Sequence, residues 1–92
     1  TETTVGKVPA DELKANLDPF FSQLQNDPTA RGVIITSGTD KEVAKREADI
    51  RKAAAFRNFD LSRITFVRGS STAPGVSTRL VFVPNGATPP TP

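Results

Sequence analysis

The side chains that carry most protein chemistry are absent from this 92-residue sequence, which has no Cys, His, Trp, Tyr or Met. Without thiolate or imidazole, the usual zinc, iron and copper sites lack their ligands. Cys–His and Ser–His nucleophile pairs cannot be built either. Carboxylates, lysines, arginines and hydroxyls remain, and no pair of them sits in a recognisable acid–base setting. The loop Gly69–Gly75 has no Gly-Lys-Ser/Thr and no helix after it, so it is no phosphate loop. These residues predict a non-catalytic chain that uses no cofactor and no metal.

The same sequence bounds the size and the partners. The length suits one core and no second domain. Apolar residues make up only 36%, with 8 Pro and 6 Gly, so part of the chain must be loop or tail. Twelve basic residues are interleaved with ten acidic ones, for a net charge of +2, which argues against a phosphate-tracking stripe and against nucleic acid as partner. No apolar run approaches the roughly 20 residues of a transmembrane helix, so membrane insertion is not expected. The chain opens on Thr1 rather than Met, which is compatible with a removed leader.

Any functional group must be positioned by the elements that periodicity predicts. Residues 1–8 are polar, and Thr3, Thr4 and Val5 offer either an edge strand or a loose arm. Pro9 suits the first position of a helix, with Asp11 and Glu12 in the turn where the helix dipole favours negative charge. Leu13, Leu17, Phe20, Phe21 and Leu24 then form one apolar face. Pro19 interrupts that helix and predicts a kink near Ala15–Asp18, or a restart with Asp18 as cap. Asn26, Asp27 and Pro28 end it.

Val33, Ile34 and Ile35 read as a central strand buried on both faces. Thr39-Asp40-Lys41-Glu42 fits a capping box opening a second helix, whose apolar face carries Val43, Ile50 and Ala54. Glu42→Arg46 and Glu47→Arg51 are acid-before-base pairs at i,i+4 on its outer side. Ile64–Arg68 and Val76–Val83 alternate as strands, the latter with Val76, Thr78, Leu80 and Phe82 on one side. Phe20, Phe21, Phe59, Phe66 and Phe82 belong to the core. Pairing of the last two strands as a hairpin would bring Arg79 near Arg68.

The expected fold is an α/β two-layer sandwich: a mixed sheet of three or four strands, order (β)-α-β-α-β-β, with both helices on one face. The domain runs over 9–84, after an arm at 1–8 and before a solvated Pro-rich tail or linker at 85–92.

Leu17…Leu24-Gln25-Asn26-Asp27-Pro28 precedes the central strand, and Gly38-Thr39-Asp40 follows it. Arg46-Glu47-x-x-Ile50 leads to Asp60-Leu61-Ser62-Arg63-Ile64 and Gly69. Over roughly Leu13 to Val83 these motifs resemble the OmpA-like (outer-membrane protein A C-terminal-like) peptidoglycan-binding family, with its Gly-His-Thr-Asp, Arg-Ala-x-x-Val and Asp-x-Ser-Arg-Ile. The resemblance implies a bacterial, periplasmic, envelope-bound or extracellular module. It implies that Asp40 and Arg46, beside Thr39, grip the charged diaminopimelate group: a carboxylate for its ammonium, a guanidinium for its carboxylate, with helix-start N–H groups adding anion affinity.

One departure bears on that site. The family's loop between the Asp and the helix is absent here. With Asp40 at the helix start, Arg46 is rotated by about 240° and offset by about 9 Å along the axis. The structural alternatives are Asp40 as cap, Arg46 as a salt-bridged surface residue, and Arg63 as a loop-ordering residue. Two functional expectations result: a module binding peptidoglycan or an envelope protein through Thr39, Asp40 and Arg46, or the same fold with a degenerate site, used as a structural or interacting subunit that self-associates as a homo-oligomer.

Overall fold

The computed structural model describes residues 2–92 and has seven elements. Strand β1 is Glu2–Val5, helix α1 Ala10–Asn26, β2 Arg31–Ser37 and α2 Asp40–Phe56. A 3-10 turn, Leu61–Arg63, leads into β3, Ile64–Arg68, and β4 is Ser77–Val83. The four strands form one mixed sheet in the order β1-β4-β2-β3. This is the expected α/β sandwich, and the polar arm at its start is a true edge strand.

Each helix forms where its apolar stripe meets the sheet. Leu13, Leu17, Phe20, Phe21 and Leu24 of α1 are buried, as are Val43, Ile50 and Ala54 of α2. All of these but Val43 share one core with Ile34, Leu80 and Ile64, so both helices lie on the same face. Gly32 permits the close approach of α1. A β-carbon there would sit 2.6 Å from Ile64 and 2.9 Å from both Leu24 and Phe20. The other face carries a smaller cluster of Val33, Ile35 and Val81, backed by Val67 and Val83. β2 is therefore central and apolar on both sides.

The expected hairpin of the last two strands does not form. β2 pairs with β3 in parallel, Ile34 opposite Phe66, but β4 lies antiparallel between β2 and β1. Its side-chain pattern gives the reason. Leu80 and Phe82 face the helices while Val81 and Val83 pack on the opposite side, so this strand buries two apolar faces and belongs inside the sheet. β3 exposes Thr65 and Arg68 and suits an edge. Arg79 consequently faces Ile35 and Thr4, not Arg68.

Helix α1 runs unbroken through Pro19, with no restart at Asp18, and Pro9 is its N-cap rather than its first helical residue. Pro19 and Ala15 are both exposed, so the Ala15 carbonyl that loses its donor faces water. Helix α2 closes with two bonds, Phe59 N–H to Ala54 O at 2.9 Å and Asn58 N–H to Ala55 O at 3.1 Å. That is a Schellman ending with Asn58 in the left-handed region, φ 56°. It delivers Phe59 onto Phe21, ring centroids 4.7 Å apart.

Residues 84–92 are exposed except for the half-buried Pro90, yet their end is tied down. Arg79 Nη1 donates to the Thr91 carbonyl at 3.0 Å and Ser70 Oγ to that of Pro92 at 2.8 Å. β4 ends beside the start of β2, and Ser70 follows β3, whose end lies beside Thr36. The segment therefore returns along the helix-free face.

Replacing Pro19 with Ala restores one helical hydrogen bond at an exposed site. The variant should gain about 1–2 kcal/mol, the relief of an interior proline less the entropy returned to the unfolded chain. Thermal unfolding should show a midpoint several degrees higher; an unchanged or lower midpoint would show that the proline is not a local strain.

Candidate functional site

The start of α2 is built as its sequence predicts. Thr39 is the N-cap: Glu42 N–H donates to Thr39 Oγ1 at 3.1 Å, and Thr39 N–H donates to Glu42 Oε1 at 2.9 Å. Gly38 turns the chain into this cap with φ 147°, a conformation that excludes a β-carbon. Asp40 is the first helical residue and not the cap. Its side chain is 96% exposed and meets Arg68 Nη1 at 2.9 Å. Arg68 Nη2 also donates to the Gly38 carbonyl at 2.8 Å.

Arg46 does not join this group, and its expected ion pair with Glu42 does not form. Glu42 is committed to the cap, while Arg46 is 6% exposed and points into the core. Its Nη1 donates to the Val5 carbonyl at 3.3 Å and to Thr78 Oγ1 at 3.0 Å, and its Nη2 to the Gly6 carbonyl at 2.6 Å. Thr78 shares a further hydrogen bond of 3.0 Å with Thr36, both fully buried. Burial pulls the Arg46 pKa down from its usual value, and the charge of Asp49 partly offsets this. Among the described residues no carboxylate lies within ion-pair distance of it, and neutral acceptors hold the charge.

Asp40 and Arg46 thus serve opposite sides of the sheet. Asp40 is paired with Arg68 on the edge strand β3, and Arg46 is bonded to β1, its exit and β4. They do not converge on one ligand. The signal for Arg46 was present in the sequence: it stands three residues after Val43 and four before Ile50, on the apolar stripe. The i,i+4 pairs that do form on α2 are Glu47–Arg51 at 3.8 Å and, on the side toward α1, Lys45–Asp49 at 2.9 Å.

The Asp-x-Ser-Arg-Ile segment is also structural. Asp60 Oδ1 accepts from Ser62 N–H at 3.0 Å, opening the 3-10 turn, and hydrogen bonding from Ser62 holds the Asp60 carboxyl below its ordinary pKa. The Arg63 side chain does not pair with Asp60 or Ser62 in its own loop; it orders the connection from α1 to β2. It donates to the carbonyls of Leu24, Asp27 and Ala30 at 2.6, 2.7 and 2.7 Å. Among the described residues, no three acidic side chains stand together as a metal cage.

One exposed feature escaped the sequence reading. Phe56, near the end of α2, is 78% exposed. It borders a groove of about 270 Å³ between α1 and α2, floored by Leu13, Ala10 and Ala53 and flanked by Lys14 and Lys52. Lys14 Nζ lies 4.2 Å from the Phe56 ring centroid. The signal is an aromatic lying off the Val43–Ile50–Ala54 stripe.

Arg46→Ala should leave the Val5 and Gly6 carbonyls and Thr78 without their donor and cost about 2–4 kcal/mol, lowering the melting midpoint by roughly 10–20 °C. Asp40→Ala should change stability by less than about 0.5 kcal/mol, as exposed pairs do. Equal losses for the two would refute the buried role of Arg46.

At the other sheet edge, Arg79 donates two bonds of 2.9 Å to the Glu2 carboxylate. Hydrogen bonding from Arg79, opposed by burial and aided by its charge, holds Glu2 below its ordinary value of 4.5. A depressed pKa contributes stability above the unfolded value and loses it as pH falls through the folded one. Glu2→Gln should therefore flatten the loss of stability on acidification below about pH 4.5; an identical acid slope in both proteins would remove the pair from the account.

Beside this geometry, comparison with known proteins adds no relative: no family model, no curated protein and no solved structure matches the chain.

Proposed function

We propose that the chain is a non-catalytic interaction module that holds a protein partner, in an envelope or extracellular setting, and does not grip peptidoglycan through Arg46. The observation that carries this reading is the fate of Arg46. Its donors go to Val5, Gly6 and Thr78 inside the fold, so the guanidinium that the resemblance assigns to a ligand carboxylate is spent on the scaffold. The exposed Phe56 groove supplies an apolar surface of the kind that marks a contact site. The setting rests on the resemblance to OmpA-like domains alone.

A second reading is favoured by one specific pair. Asp40 and Arg68 put an exposed carboxylate and guanidinium 2.9 Å apart at the start of α2. A zwitterionic group could exchange into that pair, with Arg68 doing what the resemblance gives to Arg46.

Co-sedimentation with purified diaminopimelate-type peptidoglycan separates the two. The wild-type chain is expected to stay in the supernatant. A photo-crosslinker at position 56 is expected to give a discrete adduct in extracts of the native host, and one at Lys41 none. Pelleting of the wild type that is lost in both Asp40→Ala and Arg68→Ala would overturn the protein-partner reading in favour of the second.

A further inference from the structure

The groove between the helices has a defined shape and charge. Helix α1 follows a strand parallel to the one that precedes α2, because β1 is antiparallel to β4 and β4 is antiparallel to β2. Both helices therefore run the same way across the sheet. Ala10 lies near Asp49, Lys14 near Phe56, and Asp18 bonds Arg57 at 3.1 Å, in step along the two helices. The trough between them continues past Ala10 and Leu13 to Val8, Lys7 and Lys45. From Lys45 to Phe56 it spans about three helical turns, or roughly 16 Å.

Its floor is apolar and its rim is net basic, four lysines against Asp49 and Glu42. Lys7, Lys14, Lys45 and Lys52 line it. Only Lys45 has a carboxylate partner among the described residues, and that is Asp49 on the same rim. Glu42, the other acid at the border, is bonded to the Thr39 cap. The arginines nearby are bonded to the scaffold, so the free positive charge around the trough is ammonium, which remains hydrated and available. Phe56 offers an aromatic face at one end with Lys14 already over it. An occupant that fits must bring apolar side chains for Leu13, Ala53 and Phe56, and carboxylates for the lysines on either side.

We infer that this groove docks an acidic amphipathic helix of a partner protein, laid between α1 and α2 with its apolar stripe on Leu13, Ala53 and Phe56 and its carboxylates on Lys14 and Lys52. Three or four anchors at helical spacing fill the trough, and the charges fix which partners are accepted more than how tightly they are held. The inference rests on the protein-partner reading above and names the chemistry of that partner.

The test uses the whole chain and a labelled helical peptide of about 15 residues, with Leu at spacings of three and four and Glu elsewhere. Its lysine counterpart and a scrambled glutamate peptide are compared by fluorescence anisotropy at low salt. The Glu peptide is expected to bind at least about tenfold more tightly than either control, and Phe56→Ser to weaken it by about tenfold. The exposed double variant Lys14→Glu/Lys52→Glu, checked for an unchanged melting midpoint, is expected to reverse the preference toward the lysine peptide. Failure of the Glu peptide to bind, equal binding of the scrambled peptide, or a preference untouched by the charge reversal would each overturn the inference. None of these would affect the protein-partner reading, which is judged on peptidoglycan and on the position-56 crosslink.

Discussion

A buried guanidinium held by neutral acceptors, with no carboxylate in contact among the described residues, constrains how this fold is put together. Desolvating the Arg46 charge is costly unless all its neighbours accept hydrogen bonds. The acceptors come from three places: the last residue of β1, the glycine that follows it, and a hydroxyl in the middle of the sheet. They can meet one side chain of α2 only if β1 lies directly beside β4 under the start of that helix. So one side chain joins the first strand, the last strand and the second helix. A four-residue edge strand whose first three residues are exposed has little else to hold it. The Arg79–Glu2 pair at the same edge is partly exposed, and such pairs contribute at most about 1 kcal/mol.

The placement of β4 shows where local reasoning gives out. The elements themselves were legible: two helices and the strands fall where periodicity of 3.6 and 2 places them. Strand order was read from proximity in the chain, which favours a hairpin after a short loop. Burial overrode proximity. A strand apolar on both sides is more stable between two neighbours than at an edge, and the loop between Arg68 and Ser77 is long enough to cross over β2. The alternation of Leu80 and Phe82 with Val81 and Val83 already held that information. What the sequence did not show is which neighbour would supply the second edge, because β1 carries only Val5 as a buried side chain.

The candidate site divides along the same line. Thr39 and Glu42 were legible because a capping box closes within one turn and needs nothing distant. That closure decided the fate of Arg46. With Glu42 bonded to the cap, no acid four residues back remained for an ion pair, and the apolar stripe on which Arg46 stands carried it inward. A spacing argument on the outer face and a stripe argument on the inner face competed for one residue, and the cap settled it. Asp40 kept its exposure but gained Arg68, a partner from β3 that depends on the parallel β2–β3 pairing. Phe56 left only a weak trace, because an aromatic off the stripe is not distinguishable by pattern from one that tucks under a loop.

Charge on this domain is sorted by chemistry rather than by net balance. Six of the seven arginines donate hydrogen bonds within the described residues, most of them to backbone carbonyls or to side chains of another element. The forked, weakly hydrated guanidinium can serve several acceptors at once, and in a chain without cysteine it cross-links the layers. Arg63 gathers the carbonyls of Leu24, Asp27 and Ala30 where α1 gives way to β2, and Arg57 joins Asp18, Ser22 and Gln25 of α1. Lysine has one compact, strongly hydrated charge and is left to the surface. The small net charge of +2 therefore understates the local field: arginine positive charge is absorbed into the scaffold, while lysine positive charge gathers around the trough between the helices. Basic residues that look evenly interleaved in the sequence become, once folded, arginines mostly bonded to the scaffold and lysines of which four of the five line one groove.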